Sequence, residues 1–198
     1  MKNTVFMPVI AILLCALILL AASFGLNGIA AANAQKAHLD MMKLLLPGSE
    51  SFTLEPYNGE DANILSVHKA ENGFVIETAT YGYAGNITML IGVNNDGKVT
   101  GLVVQEMHET FGLGAQGLTD HVFLAQFLNN SGSFAVAAPG ADAFSGATGA
   151  ETASGDEVTV DALTGATVTS KAIVRCVNSA VAYVTGADAS SGATSWGG

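Results

Sequence analysis

Positive charge is scarce in this sequence of 198 residues, with seven Lys and Arg against 17 Asp and Glu and a formal net charge of −10. That balance argues against nucleic acid and against docking on anionic lipid, both of which need a basic surface. Charge of either sign is thin, at 12% of residues against 49% hydrophobic, which is less than an ordinary soluble domain carries. Cysteine is rarer still. Cys15 lies in an apolar run and Cys176 in a distant helical pattern, so the two exclude a structural disulfide and say nothing of compartment. No nucleophile–base–orienter set is visible, which disfavours an autonomous hydrolase. His108 and His121 are not at ligand spacing with any Cys or carboxylate cluster, so no metal site is expected.

The shortage of charge is concentrated at one end. No charged residue lies between Lys2 and Lys36, and Val5 to Leu26 reads VFMPVIAILLCALILLAASFGL. A helix of about 22 apolar residues, rising about 1.5 Å each, is long enough to cross a hydrocarbon core of about 30 Å. A transmembrane helix is therefore expected over residues 5–27. The rival reading is a cleaved secretory signal with Ala32-Asn33-Ala34 as its site, but signal h-regions run only about 7–15 apolar residues. Lys2 is the sole cation before the span, and six basic and all 17 acidic residues follow it. The positive-inside rule then puts residues 1–4 in the cytoplasm and the rest outside.

Residues 28–48 read as a helical connector, with Gln35 to Leu46 helical and a stop at Pro47-Gly48. A domain is expected over 49–185. In it, alternation predicts a strand from Gly73 to Thr80. A hairpin follows, running from Ile87 to Val93, through Asn94-Asn95-Asp96-Gly97, and on to Val99–Val104. Gly112-Leu113-Gly114 and Gly117 suggest a flexible loop, and Thr119 is a candidate cap for a short helix, DHVFLAQFL. Residues 129–157 are rich in Gly, Ala and Ser and read as a low-complexity surface loop. Val158-Thr159-Val160 is a short strand, and Ile173, Val177, Ala180, Val181 and Val184 recur at helical spacing over Ser170–Val184. Residues 186–198 read as a disordered tail. The fold class expected is α+β, a small domain with a mainly antiparallel sheet and packed helices behind one N-terminal transmembrane helix.

The stretch Asp161-Ala-Leu-Thr-Gly-Ala-Thr167-Val-Thr-Ser170, between that strand and that helix, is suited to fixing a phosphate. Gly165 and Ala166 let an anion approach backbone N–H groups closely. Thr169 or Ser170 is expected to cap the helix, whose dipole favours negative charge just upstream. Lys171 and Arg175 in the first turns could soften that charge, although basic residues there oppose the dipole. A threonine hydroxyl is the atom a phosphate ester needs. Spacing alone does not establish a flavin site, and by itself it favours a polar β–α turn with a helix cap.

The segment VDALTGATVTSKAIVRCVN resembles the flavin-attachment site of a family of FMN-binding domains. That family is found in the G subunit of Rnf electron-transport complexes and in the C subunit of sodium-pumping NADH:quinone reductases. Its signature is Asp, two variable residues, Ser or Thr, then Gly-Ala-Thr. The resemblance implies that Thr167 carries FMN as a phosphoester, installed by a dedicated flavin transferase that uses FAD. Asp161 is then the signature acid and Thr164-Gly165-Ala166 the small turn. Tyr81 to Gly114, YGYAGNITMLIGVNNDGKVTGLVVQEMHETFGLG, is similar to the family's Gly-Tyr-x-Gly strand, hairpin and His-Glu-Thr-Pro-Gly-Leu-Gly loop. It implies that Glu109, Thr110, Leu113 and Gly114 lie at the flavin, with Phe111 where the family has proline. The signature recurs at Asp142–Thr148 and Asp188–Thr194, but only the middle copy sits between a strand and a helix, so a single site at Thr167 is expected.

The resemblance further implies an electron carrier in the bacterial inner membrane, single-pass, with its FMN domain on the extracytoplasmic side. It would belong to an Rnf-type complex coupling ferredoxin:NAD electron transfer to ion translocation, as a redox component without turnover of its own. Its partners would be the other membrane proteins of the complex, the flavin transferase and, through the helix, membrane lipid. The alternatives are the equivalent component of the quinone reductase, a free-standing flavin shuttle, and, in another class, a non-redox anchored scaffold that would be colourless.

Overall fold

The computed structural model describes residues 6–110, 114–115, 120–137, 152–153 and 157–186, and of residues 6–9, 11, 22–27 and 29 the backbone alone. The chain divides into two compact units, Met1–Met41 and Met42–Gly198. One helix, α1 (Phe6–Leu45), supplies all the described residues of the first unit. Over the described residues no helix is both long enough and apolar enough to cross a membrane. The span expected over residues 5–27 therefore rests on the hydropathy of the sequence.

The second unit is built on an antiparallel meander of β1 (Thr53–Glu55), β2 (Ile64–Ala70), β3 (Gly73–Tyr81), β4 (Asn86–Asn94) and β5 (Val99–Met107), in that spatial order. After it come a five-residue helix α2 (His121–Ala125) and the strands β6 (Ser133–Val136), β7 (Thr152–Ala153) and β8 (Glu157–Val160). These three strands form a second small sheet in the order β6-β8-β7, with β6 parallel and β7 antiparallel to β8. The last helix, α3 (Thr167–Thr185), ends at Gly186, whose φ of +68° supplies the left-handed C-cap. The expected α+β class with a mainly antiparallel sheet is what forms.

Alternation along the strands divides the meander into two faces. Val67, Ile76, Ile87, Met89 and Ile91 point to one side, where α3 covers them with Ile173, Val177, Ala180 and Val181, all essentially inaccessible. On the reverse side, Val75, Gly92 and Gly101 stand in register across three strands. The end of α1 docks there. Leu45 backbone atoms lie so close to Gly92 and Gly101 that a Cβ at either position would strike them, and Met42, Leu45 and Leu46 are buried. Thr100 Oγ1 donates to the Leu45 carbonyl at 2.6 Å, satisfying an acceptor that the helix end leaves open.

Several sequence expectations need correction. The short helix is capped by Asp120, whose carboxylate accepts from Val122 and Phe123 N–H groups at 3.1 and 3.0 Å; Thr119 lies outside the described residues. The presumed loop 129–157 contains β6, with Phe134 buried in the core. Asn178 of α3 holds that strand, its side-chain amide exchanging two hydrogen bonds with the Phe134 backbone at 2.8 and 2.9 Å. Finally α3 starts at Thr167 and not at Ser170. Residues 138–151 and 154–156, the loop glycines Gly112 and Gly117, Leu113, Phe111 and the tail beyond Gly186 lie outside the described residues.

Candidate functional site

Gly165 has φ +73° and turns the chain after Leu163 and Thr164, so that helical geometry begins at Thr167. The residue in the cap position is Ala166, which offers no side-chain cap. Neither Thr169 nor Ser170 caps the helix, contrary to expectation. Ser170 is buried inside the first turn, where its hydroxyl accepts from Leu163 N–H at 2.9 Å and donates to the Ala166 carbonyl at 3.0 Å. The hydroxyl that sequence suggests as a cap thus locks the turn from within. It leaves the start of a 19-residue helix without a side-chain acceptor, a geometry that favours an anionic group at that point.

Two other segments converge on this turn. The β3–β4 connection is a tight reversal in which Gly82 N–H donates to the Gly85 carbonyl at 2.8 Å and presents an exposed Tyr83. Past the end of β5, Glu109 joins that reversal to α3. Its Oε1 accepts from Tyr83 N–H at 2.7 Å and Ala84 N–H at 3.2 Å, and its Oε2 from the Thr169 hydroxyl at 3.0 Å. Together the three segments enclose a cavity of about 490 Å³ lined by Tyr83, Glu109, Thr110, Gly114, Gly165, Ala166, Thr167, Val168 and Thr169. That volume lies within the range of about 300–1,000 Å³ typical of cofactor sites.

Seven of the residues expected at the site meet in this one cavity: Glu109, Thr110, Gly114, Gly165, Ala166, Thr167 and Thr169. Asp161, Thr164 and Ser170 are not among its walls. Asp161 and Thr164 are exposed, and the Asp161 N–H is held by Gln126 Oε1 at 2.7 Å. Arg175 is turned to the end of β3, donating to the Tyr81 carbonyl at 3.3 Å, and neither it nor Lys171 lines the cavity. Tyr83 and Val168 were missed. Tyr83 could have been suspected from its place between glycines in Gly82-Tyr83-Ala84-Gly85, whereas an aliphatic Val168 inside a helix carries no such signal.

A family model described as the FMN-binding domain matches residues 82–182, more than half of the chain and every wall of the cavity. The chain belongs to the FMN-binding domain family. It is 32% identical to the G subunit of the ion-translocating oxidoreductase complex of Methanosarcina acetivorans over 157 residues, 73% of each chain. It is 30% identical to the G subunit of the proton-translocating ferredoxin:NAD(+) oxidoreductase complex of Clostridium ljungdahlii, over 85% of this chain and 83% of that one. Among solved structures, the C subunit of the Na(+)-translocating NADH-quinone reductase from Parabacteroides distasonis aligns with a TM-score of 0.45 at 24% identity. The alignment covers 61% of this chain and 60% of that one.

The cavity's chemistry fits a flavin mononucleotide. Small residues and an uncapped helix start suit the phosphate, a hydroxyl at the first helical position suits esterification, and Tyr83 and Val168 offer apolar surface to a ring.

Proposed function

We propose that the chain is a membrane-anchored electron carrier that holds FMN covalently on Thr167, within an Rnf-type complex coupling ferredoxin:NAD electron transfer to ion translocation. The observation that carries this reading is the position of Thr167, a hydroxyl residue at the first position of α3 that opens on the 490 Å³ cavity. Membership of an FMN-binding family and the names of the two oxidoreductase-complex relatives support it.

The Thr167 hydroxyl would be the nucleophile that takes the FMN phosphoryl group of FAD on a dedicated flavin transferase, with AMP as the leaving group and the hydroxyl proton passing to solvent. Backbone N–H groups of the first turn and the helix dipole would hold the negative charge of the ester. Gly165 and Ala166 leave the space for it. Tyr83 and Val168 would cover an apolar ring, and Glu109 fixes the walls around it. Bound flavin supplies one- and two-electron redox chemistry, which the protein positions.

A covalent tether has a clear use outside the cytoplasm, where released FMN would be diluted away; attachment keeps its local concentration permanently high. The apolar run Val5–Leu26 would anchor the domain, over about 49–185, beside its membrane partners, with the N-terminus inside.

The test is peptide mass spectrometry on the full chain co-expressed with a flavin transferase. An FMN-phosphoryl adduct on the peptide containing Thr167 is expected. An unmodified Thr167 peptide in a colourless protein would reduce the chain to an anchored binding module. Flavin on Thr148 or Thr194 would overturn the single-site assignment.

A further inference from the structure

Glu109 stands between two walls of the cavity that no backbone pairing joins directly. Three protein donors already converge on its carboxylate, the Tyr83 and Ala84 N–H groups on Oε1 and the Thr169 hydroxyl on Oε2. A carboxylate has roughly four acceptor sites, so little capacity is left for a ligand. Two glycines make the space it occupies. A Cβ at Gly82 would collide with Oε1, and one at Gly114 would come within 2.9 Å of Oε2 and 2.5 Å of Thr169 Oγ1. Hydrogen bonds and packing therefore specify one position for this carboxylate.

We propose that Glu109 is a positioning residue, a brace that ties the Tyr83 reversal to the first turn of α3 and so fixes the cavity around Thr167. Thr169 lies on the same helical turn as Thr167, so holding its hydroxyl fixes the backbone that carries Thr167. Ionised acceptors make hydrogen bonds about twice as strong as neutral ones, which suits a tie that must hold a surface turn. The purpose of the brace rests on the FMN reading above. Its geometry belongs to the chain without flavin, and the two can be tested apart.

The experiment uses the full chain in detergent, with Glu109→Ala, Glu109→Gln, Thr169→Val, Thr169→Ser and the double variant Glu109→Ala/Thr169→Val. The first readout is hydrogen exchange at the Tyr83 and Ala84 amides before flavin is added. Loss of a charge-assisted bond predicts exchange about tenfold faster or more in Glu109→Ala. Thr169→Val should accelerate the same amides, because the freed carboxylate no longer holds its place. The double variant should do no more than the stronger single one. Glutamine, whose carbonyl can accept from the reversal while its amide donates to Thr169, and serine at 169 should each restore most of the protection.

The second readout is the rate of flavin transfer to Thr167 and the fluorescence anisotropy of the attached flavin, in which the variants should rank in the same order. Slower transfer in Glu109→Ala with unchanged exchange at Tyr83 and Ala84 would mean that the carboxylate contacts the ligand itself, and the brace would be wrong. Thr169→Val without effect on those amides would also overturn it. If Glu109→Ala does not fold, Thr169→Val decides alone, since it removes a single hydroxyl. A wild-type chain that accepts no flavin would sink the FMN reading, and the exchange data would still decide the brace.

Discussion

Cys176 is fully buried on α3, and burial pushes its thiol from 9.0 up to about 11. The folded chain then keeps a proton that the unfolded chain releases, so stability falls as pH rises between those two values. The contribution is complete below pH 9.0 and lost by about 11, and it is worth roughly 3 kcal/mol. Burial and the neighbouring Glu55 carboxylate raise Tyr183 too, in the same sense. Urea unfolding at about pH 8 and about pH 10.5 should show a steeper loss for the natural chain than for Cys176→Ala. At about pH 8 the same shift leaves roughly one thiol in a thousand ionised. In a Cys15→Ala background, a thiol reagent should label the folded chain at least ~100-fold more slowly than the unfolded one. Thr167 is a different kind of residue, half-buried at a helix start. Thr167→Val should abolish covalent flavin while changing stability by no more than about 0.5 kcal/mol; full retention of flavin would refute the attachment site.

At the scale of elements, the close approach of α1 to the reverse face of the sheet depends on two glycines. A Cβ at Gly92 would strike the Leu45 carbonyl, and one at Gly101 would come within 2.8 Å of Leu45 Cα. These are backbone atoms and cannot rotate aside, so Gly92→Ala should cost about 1–3 kcal/mol. The urea midpoint should drop with an unchanged slope. Asn178→Leu should loosen β6 by a similar amount, because it leaves the N–H and C=O of Phe134 without their partners. Exchange at the β6 amides would report it. The hairpin β4–β5 and the body of α3 were legible because their signals are local, an Asp-Gly turn and a helical period. β2 was not. A register shift between Ile64 and Ser66 leaves its buried residues at Ile64, Val67 and Ala70, a spacing that hides the alternation of a strand. β6 was hidden for a different reason. Its four residues gain order from partners far away in sequence, the parallel strand β8 more than 20 positions on and Asn178 of α3. The start of α3 was misread because Thr169 and Ser170 carry capping chemistry that the fold uses otherwise: Ser170 bonds inside the turn and Thr169 bonds Glu109.

For the molecule as a whole, the question is what covers α1. Ile12, Leu13, Leu14, Leu17, Ile18, Leu19 and Leu20 are each more than half exposed, and they occupy every side of the helix rather than one stripe. A helix apolar all round needs an apolar surrounding. Removing seven such side chains from water is worth on the order of 10 kcal/mol, and the lipid that the carrier reading calls for would supply it. The full chain should therefore stay in the membrane pellet through an alkaline carbonate wash. A version lacking residues 1–34 should be recovered in the supernatant with its flavin attached. That truncation spares Met42, Leu45 and Leu46, which are buried in the second unit, so release would reflect loss of the anchor and not unfolding of the domain. Protease added to spheroplasts should digest the second unit, if the positive-inside reading of Lys2 holds. If carbonate strips the full chain from the membrane, α1 is covered by protein. The carrier would then be held in its complex by protein contacts alone, and residues 5–26 would be the surface to search for that partner.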